Sequence, residues 1–106
     1  MINHIHDDEF MNNEAISKAH DLQRKMLDVQ KKFATTNVHG TANNGMIVCE
    51  MRMSDNKVLD LKIDPSAMLN IELLQELIKN AINNAIEEAE NRRNSEMTYI
   101  AENFTL

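Results

Sequence analysis

The chain has 106 residues, a formal net charge of −6, and 42% hydrophobic against 26% charged residues. This length allows one small domain, predicted to span residues 1–106, and the composition is typical of a folded protein rather than a disordered one. No apolar run approaches the roughly 20 residues of a transmembrane helix, and the single cysteine, Cys49, excludes an intramolecular disulfide framework. We therefore expect a cytoplasmic protein with no membrane partner.

The first predicted element is a helix from about Asp8 to Ala34, preceded by a flexible terminus at residues 1–7. Asp7 or Asp8 is placed to cap the start of this helix. Apolar residues recur in it at alternating steps of four and three, which is the narrow seam that one helix presents to another. The seam consists of Ala15, Ala19, Leu22, Met26, Val29 and Phe33.

The middle of the chain alternates apolar and polar residues with a period of two, which predicts half-buried strands. The strands are expected at about residues 37–41, 46–53 and 58–63, with turn residues at 43–45 and 54–57 between them. Apolar residues fall on one face of each of the last two strands. This pattern predicts a three-stranded antiparallel β-meander with one apolar face.

The segment Gly40-Thr-Ala-Asn-Asn-Gly45 contains both glycines of the chain and has the spacing of the front half of a phosphate-binding loop. Such a loop continues with Lys and Ser or Thr into a helix, whose free N–H groups bind the phosphate. Here Gly45 is followed by Met46 and Ile47 and by a predicted strand. We therefore interpret both glycines as turn residues of a hairpin and predict no nucleotide or other cofactor.

The last part of the chain predicts a short helical turn and a long helix. Asp64 is a favoured N-cap and Pro65 is tolerated at the first helical position, so the turn covers residues 66–69. Asn70 is placed to cap a second helix that no Gly or Pro interrupts. About 30 residues of helix would be about 45 Å long, whereas a compact domain of this size has a radius of gyration near about 13 Å. The second helix must therefore project beyond the body of the domain, and the first helix is its expected packing partner.

Positive charge is concentrated in residues 18–32, where five basic residues accompany two acidic ones. Three of the lysines follow one another at steps of seven and flank the apolar seam, and the other two basic residues lie beside them on the outer side. Such a stripe is either a solvated helix face or a surface for phosphates. The five residues are Lys18, Arg24, Lys25, Lys31 and Lys32.

Two more basic residues, Arg92 and Arg93, lie near the end of a glutamate-rich segment of the second helix. The simplest interpretation is that they form ion pairs within the helix with Glu88, Glu90 and Glu96. Contact with DNA is the alternative interpretation for both arginines.

Nothing in the sequence indicates an enzyme. Cys49 lies on the apolar face of a predicted strand without a His or Asp at motif spacing, and we interpret it as a small buried residue. His4 and His6, close to acidic residues near the N-terminus, could bind a transition metal, but such terminal clusters are usually adventitious, so no metal site is predicted. The sequence also offers no carboxylate pair in a cleft and no set of oxyanion donors.

The order of these elements, together with several motifs, resembles the YbaB/EbfC family of bacterial nucleoid-associated proteins. The motifs are the Gly40-x-x-x-x-Gly45 segment, Leu61-Lys-Ile-Asp-Pro65, and the gapless run from Leu73-Leu-Gln-Glu-Leu-Ile78 through Ala81, Ala85 and Ala89. The resemblance covers about residues 15–93. Residues 98–106 form a C-terminal extension where many family members have a Gly/Pro-rich tail.

The resemblance implies an α+β fold that forms a symmetric homodimer, in which the two sheets join across the two-fold axis and paired helical arms project. It also implies binding to double-stranded DNA, mainly at the backbone and with little sequence preference, in the cytoplasm and nucleoid of a bacterium. The residues predicted to contact DNA are Lys18, Arg24, Lys25, Lys31, Lys32, Arg92 and Arg93. The alternative is a dimeric scaffold for an unidentified protein partner, which the net charge of −6 favours because it opposes DNA binding.

Overall fold

The computed structural model describes the backbone of residues 2–103 and the side chains of residues 13–67 and 70–103. The elements are, in chain order, helix α1 (Ile2–Thr35), strands β1 (Asn37–Ala42), β2 (Ile47–Arg52) and β3 (Val58–Ile63), a 3₁₀ turn (Pro65–Leu69) and helix α2 (Ile71–Asn103). Their order and type confirm the predicted α+β fold. No helix in this part of the chain is long and apolar enough to cross a membrane.

Helix α1 begins at Ile2 rather than at Asp8, so the predicted start is wrong. The physical reason is that neither Gly nor Pro occurs before the end of the helix, so nothing in the sequence interrupts it. Asp7 and Asp8 therefore lie within the helix instead of capping it. The side chains of His4 and His6 lie outside the described ones, and the flexibility of the N-terminus stays a prediction.

Two threonines close the C-terminal end of α1. The Thr35 hydroxyl donates to the carbonyl oxygen of Lys31 at 2.9 Å, and the Thr36 hydroxyl donates to that of Lys32 at 2.5 Å. Both bonds run from a threonine hydroxyl to the carbonyl oxygen four residues earlier, a contact that Thr side chains often make with the preceding turn of a helix. The N–H of Met53 donates to the Thr36 carbonyl oxygen at 2.9 Å, which ties this end of the helix to the sheet.

The three strands form an antiparallel meander in the order β1-β2-β3. Cys49 in the middle of β2 lies opposite Gly40 on β1 and Leu61 on β3. The β1–β2 turn, residues 43–45, has positive φ throughout (51°, 56° and 86°), a conformation that Asn and Gly adopt most readily. The predicted meander and its first hairpin turn are confirmed.

Helix α2 packs across β1 and β2 and forms the hydrophobic core with them. Small residues at every fourth position of the helix face the sheet, so the helix backbone lies close to the strands. The buried core residues are Val38, Ala42, Ile47, Cys49, Met51, Met53, Ala67, Leu77, Ala81, Ala85 and Ala89. Strand β3 has no fully buried residue, because α2 leaves its side of the sheet largely uncovered.

Gly40 lies where α2 approaches the sheet most closely. A Cβ atom built at this position would be 2.1 Å from the backbone nitrogen of Ala85 and 2.2 Å from the carbonyl oxygen of Ala81. Only glycine leaves room for a helix backbone at these distances. The interpretation of Gly40 as a turn residue is therefore wrong, whereas Gly45, with a φ of 86°, occupies a turn as predicted.

Two side chains cap the helical segments that follow the sheet. The Asp64 carboxylate accepts a hydrogen bond from the Ser66 N–H at 2.9 Å, at the start of the 3₁₀ turn. The Asn70 side-chain oxygen accepts one from the Leu73 N–H at 3.2 Å, at the start of α2. Both bonds satisfy N–H groups that lack a partner within the helix, so the two predicted caps are confirmed.

The two helices extend the molecule well beyond the sheet, to dimensions of 82 × 19 × 16 Å. There α1 and the C-terminal end of α2 run side by side, and Val29 and Ile100 are only 3% and 4% exposed. The predicted pairing of the helices is confirmed for the C-terminal half of α1, whereas Ala15 and Ala19, nearer the start of the predicted seam, are exposed. We refer to the projecting parts of α1 and α2 together as the arm.

Candidate nucleic-acid interface

Two of the basic residues on α1 form ion pairs within their own helix. Lys18 lies 3.9 Å from the Glu14 carboxylate, and Arg24 lies 2.8 Å from that of Asp21. All four side chains are more than half exposed to solvent. Exposed pairs of this kind contribute at most about 1 kcal/mol, so both cations can exchange their carboxylate for a phosphate at little cost.

Lys32 is paired across the arm instead of along its helix. Its Nζ forms an ion pair with the Glu96 carboxylate of α2, 64 positions away in the sequence. This contact helps to hold the two helices of the arm together, and it partly neutralises the charge of Lys32. Lys32 is therefore a weaker candidate for DNA contact than its place in the basic stripe suggests.

Lys25 and Lys31 have no ion-pair partner among the residues whose side chains the structure describes. Lys31 is exposed, whereas Lys25 is half-buried at the edge of a cleft between α1 and α2. These two lysines carry the uncompensated positive charge of the described part of α1.

Arg93 of α2 is bound to the sheet. Its Nη1 donates to the carbonyl oxygen of Met53 at 2.5 Å and to the side-chain oxygen of Asn56 at 2.7 Å. Asn56 belongs to the β2–β3 turn and has a φ of 58°. The interpretation of Arg93 as an intrahelical ion pair is therefore wrong, because its guanidinium group is held in that turn.

Arg92 is exposed, and none of the ion pairs between described side chains includes it. The predicted intrahelical pairing is thus wrong for this arginine too. Adjacent positions on a helix point about 100° apart, so Arg92 faces away from the turn that binds Arg93. Of the two arginines, Arg92 is the one whose charge faces solvent.

Positive charge is concentrated in one part of α1. Residues 13–35 carry five basic and three acidic groups, a sum of +2, although Asp7, Asp8 and Glu9 nearer the start bring the whole helix to −1. Residues 71–103 carry three basic and seven acidic groups, a sum of −4. Glu87, Glu88 and Glu90 form an exposed acidic stretch on the part of α2 that covers the sheet. A polyanion is attracted to the first set and repelled by the second. Helix α1 therefore presents the candidate interface.

A second surface lies where the apolar face of the sheet is left open on the β3 side. Val58, Leu59 and Ile63 are 41%, 41% and 36% exposed. On α2, Ile82 and Ile86 are half-buried against the same core. We refer to these five residues as the open apolar surface.

The orientation of α2 shows which flank of the helix borders this surface. The Asn84 side chain donates to the Thr41 carbonyl oxygen at 2.8 Å, so the flank with Asn84 faces β1. Ile82 and Ile86 lie on the opposite flank, at about 160° in the rotation of the helix from Asn84. That flank is on the β3 side of the helix, so the half-buried isoleucines of α2 and the exposed apolar residues of β3 lie on the same side of the molecule.

Two further observations concern a reactive cysteine and a metal site. Cys49 is fully buried, and burial raises the pKa of its thiol, which agrees with its predicted role as a small buried residue. Among the side chains that the structure describes, no three of His, Cys, Asp or Glu are placed to hold a metal ion.

Comparison with known proteins identifies the family. The sequence profile of the YbaB/EbfC DNA-binding family matches residues 9–104. The chain belongs to this family. A nucleoid-associated protein of Chlorobium phaeovibrioides is 38% identical to the chain over 77 residues, which are 73% of this chain and 70% of that protein. A nucleoid-associated protein of Dictyoglomus thermophilum is 27% identical over 95 residues, which are 88% of this chain and 90% of that protein.

A solved structure shows that the fold is shared. The crystal structure of an uncharacterized Helicobacter pylori protein matches this YbaB/EbfC member with a TM-score of 0.67 over 77% of this chain and 87% of that one. The two sequences are 18% identical, so this likeness concerns the fold alone. The family description names DNA binding and no enzymatic activity.

The arm of this YbaB/EbfC protein brings together residues that the sequence does not connect. Lys25 and Lys32 of α1 lie around one cleft with Ser95, Glu96 and Tyr99 of α2. The two lysines are predicted from the basic stripe, but the three α2 residues are not, because their spacing carries no motif. The weak continuation of the apolar pattern through residues 97 and 100 agrees with the predicted packing of this end of α2 against α1, but it does not show which polar residues meet there.

Proposed function

We propose that this protein is a bacterial nucleoid-associated protein that acts as a homodimer and binds double-stranded DNA, mainly through contacts of α1 with phosphates. The observation that carries the proposal is the concentration of positive charge in residues 18–32, where five basic and two acidic residues lie on the projecting helix α1 of an acidic protein. Membership of a DNA-binding family supports DNA as the polyanion. The nucleoid-associated relatives support a place in the nucleoid, and hence in the cytoplasm.

Dimerisation is proposed through the open apolar surface. Strand β3 is an edge strand, so one side of its backbone has no strand partner within residues 2–103. Exposed edges and contiguous apolar patches are sites where proteins associate. In a symmetric dimer the same patch on both copies forms the interface, so one two-fold contact would cover β3 and the isoleucines of α2 in both chains. The two sheets would then join, and the arms would project as a pair.

Little sequence preference follows from the side chains that the arm offers. Lysines seven residues apart are about 10 Å apart along a helix, and phosphates on one strand of B-DNA rise about 3.4 Å per step, so a lysine stripe can meet the backbone at intervals. A dimer with two arms would make about four to eight such contacts, which corresponds to a slope of log K against log salt of about −4 to −7. Binding at physiological salt should then be about micromolar or weaker.

A titration tests this function directly. Binding to two unrelated labelled duplexes is measured by fluorescence anisotropy over a series of salt concentrations, and the oligomeric state by light scattering. The double variant Lys25→Gln/Lys31→Gln should bind both duplexes more weakly and with a flatter salt slope, by about one per lost contact. Lys57→Gln/Lys79→Gln removes the same charge outside the arm and outside β3 and is the matched control, which should retain the parent's slope.

Two results would count against the proposal. Equal losses in the arm variant and the control would show that binding depends on overall charge and not on the arm. A parent protein that binds neither duplex at low salt would favour the alternative, a dimeric scaffold for a protein partner, which the acidic sum of α2 supports. A monomer at micromolar concentration would contradict the homodimer in either case.

A further inference from the structure

The arm contains a cleft between its two helices. It has a volume of about 380 Å³ and lies between α1, with Lys25 and Lys32, and the end of α2, with Ser95, Glu96 and Tyr99. Lys32 and Glu96 form an ion pair and compensate each other. Lys25 is therefore the one uncompensated charge among the described residues that line the cleft.

The hydrogen-bond donors of the cleft define what it can bind. The Ser95 hydroxyl already donates to the Asn91 carbonyl oxygen at 2.9 Å. The phenolic hydroxyl of Tyr99 donates to no partner among the described residues, and this side chain is 52% exposed. The ammonium group of Lys25 adds three further donors. One positive charge beside an unused neutral O–H fits a singly charged oxyanion with several acceptor oxygens, which is the chemistry of a phosphodiester.

We propose that this cleft binds a phosphate of the DNA backbone, with the charge supplied by Lys25 and a second, neutral hydrogen bond supplied by the Tyr99 hydroxyl. The inference rests on the proposed function and names one contact within it. The half-burial of Lys25 strengthens its attraction to a phosphate, because a less polar surrounding screens the charge less than water does. The Lys32–Glu96 ion pair contributes by holding α1 and α2 at the separation that brings the two donors together.

The proposal ranks the basic residues of α1. Lys25, half-buried in the cleft, should contribute more to DNA binding than Lys31, which is exposed and outside it. It also adds Tyr99, which carries no charge and is therefore not found by counting basic residues. A neutral contact can be told apart from a charged one by the slope of log K against log salt. This slope depends on the number of counterions released from DNA, and a hydroxyl group releases none.

The test uses the full chain and one labelled duplex, with anisotropy measured over a series of salt concentrations. Tyr99→Phe removes only the hydroxyl, and we expect about threefold to tenfold weaker binding with an unchanged slope. Lys25→Gln should bind at least as weakly as Tyr99→Phe and flatten the slope by about two per dimer, one for each arm. Lys31→Gln removes the same charge outside the cleft and should lose less affinity than Lys25→Gln.

A double-mutant cycle tests whether Lys25 and Tyr99 share one phosphate. Residues that contact the same group are not additive, so the loss in Lys25→Gln/Tyr99→Phe should be smaller than the product of the two single losses. In the control Lys31→Gln/Tyr99→Phe the losses should multiply. Circular dichroism and light scattering of each variant show that fold and oligomeric state are kept, which the conservative and exposed Tyr99→Phe change should preserve.

The possible outcomes separate the inference from the function on which it rests. If the parent binds no duplex at low salt, the proposed function fails and the cleft site fails with it. If the parent binds DNA and Tyr99→Phe binds as tightly as the parent, or if the losses of Lys25→Gln and Tyr99→Phe multiply, the cleft site alone is overturned. Weaker binding of Tyr99→Phe at an unchanged slope, with non-additive losses, supports it.

Discussion

Replacing Gly40 with alanine tests the close packing of α2 on the sheet. The added Cβ would lie 2.1 Å from the backbone nitrogen of Ala85, whereas ordinary contacts begin at 3.4 Å, so the helix would have to move by 3.4 − 2.1, or about 1.3 Å. The overlapping atoms belong to the backbone, so no side-chain rotation can relieve the overlap. We expect the free energy of unfolding to fall by about 3 kcal/mol, at the upper end of what overpacking costs.

Gly45→Ala is the matched control for this change. A Cβ built at Gly45 meets no non-adjacent residue within 4 Å, so its cost comes only from the φ of 86° and should be about 1–2 kcal/mol. A second control is Ala85→Gly in the Gly40→Ala background. It should not restore stability, because the atoms of Ala85 that the new Cβ overlaps are its nitrogen and Cα.

Urea unfolding followed by circular dichroism measures these differences. All variants are compared at one protein concentration, since the stability of a dimer depends on concentration. A Gly40→Ala protein that unfolds at the same urea concentration as the parent, or that is less destabilised than Gly45→Ala, would refute the contact between β1 and α2.

Three further predictions concern polar contacts. Arg93→Gln removes two hydrogen bonds to the β2–β3 turn and should cost about 1–3 kcal/mol, whereas Arg92→Gln should change stability by less than about 0.5 kcal/mol. Lys32→Gln removes an exposed ion pair and should cost at most about 1 kcal/mol, and less in high salt. The hydrogen bond from Arg52 lowers the pKa of Asp55 below 3.8. A lowered pKa in the folded state adds stability above the ordinary pKa that is lost as the pH falls through the folded value, so Asp55→Asn should lose less stability than the parent as the pH falls below 3.8.

Urea unfolding checks all three, and each has a contradicting result. Equal midpoints for Arg93→Gln and Arg92→Gln would show that the bonds to the turn add no stability. An effect of Lys32→Gln that is the same at low and high salt would rule out an electrostatic origin. An Asp55→Asn protein as sensitive to acid as its parent would contradict the assigned pKa shift.

The features that the sequence predicts well depend on residues close together in the chain. The period of two identifies β2, which buries one face, and β3, whose apolar residues alternate in the same way although none is fully buried. The three residues of the first turn are of types that tolerate positive φ. Asp64 and Asn70 are recognisable as caps because a cap bonds an N–H only two or three positions later. The start of α1 is the local feature that fails, because a potential cap at Asp7 or Asp8 does not stop a helix that can continue past it.

The features that the sequence does not predict depend on contacts between distant residues. Gly40 is required by α2, whose Ala81 and Ala85 lie more than 40 positions away. Alanines at every fourth position of α2 do indicate a helix that packs closely, but they do not show which strand residue it meets. Arg93 is likewise fixed by a turn that lies 37 positions earlier at Asn56.

The same limit applies to the candidate interface. Composition and spacing locate the basic stripe on α1, but not which of its cations are already neutralised. Glu96 belongs to another helix, so its pairing with Lys32 appears only when the arm is folded. Tyr99 also lines the cleft. The sequence does not show this, because the weak apolar pattern at residues 97 and 100 indicates contact with α1 but does not specify which polar side chains meet there.

The distances along the arm explain how an acidic protein can present a surface for DNA. Lys32 lies beside Glu96, and from that point Glu88 is eight residues towards the body, while Lys18 is fourteen residues towards the tip. At 1.5 Å per residue these steps are about 12 Å and 21 Å, so Glu88 and Lys18 are about 33 Å apart. The Debye length is about 10 Å at 0.1 M salt and about 30 Å at 0.01 M.

At moderate salt the cations of residues 18–32 are therefore screened from the acidic stretch of α2. Asp7, Asp8 and Glu9 are also at least nine residues, or about 14 Å, from Lys18 along α1, so DNA at residues 18–32 interacts mainly with the basic side chains there. At very low salt the screening length reaches the acidic stretch, and its repulsion opposes the added attraction to the lysines. Plots of log K against log salt should then be linear above about 0.1 M and become shallower towards about 0.01 M. Replacing Glu87 and Glu88 with Gln should make the slope steeper at low salt while leaving binding at moderate salt nearly unchanged. A plot that stays equally steep down to low salt would show instead that the acidic stretch does not act on DNA bound to the arm.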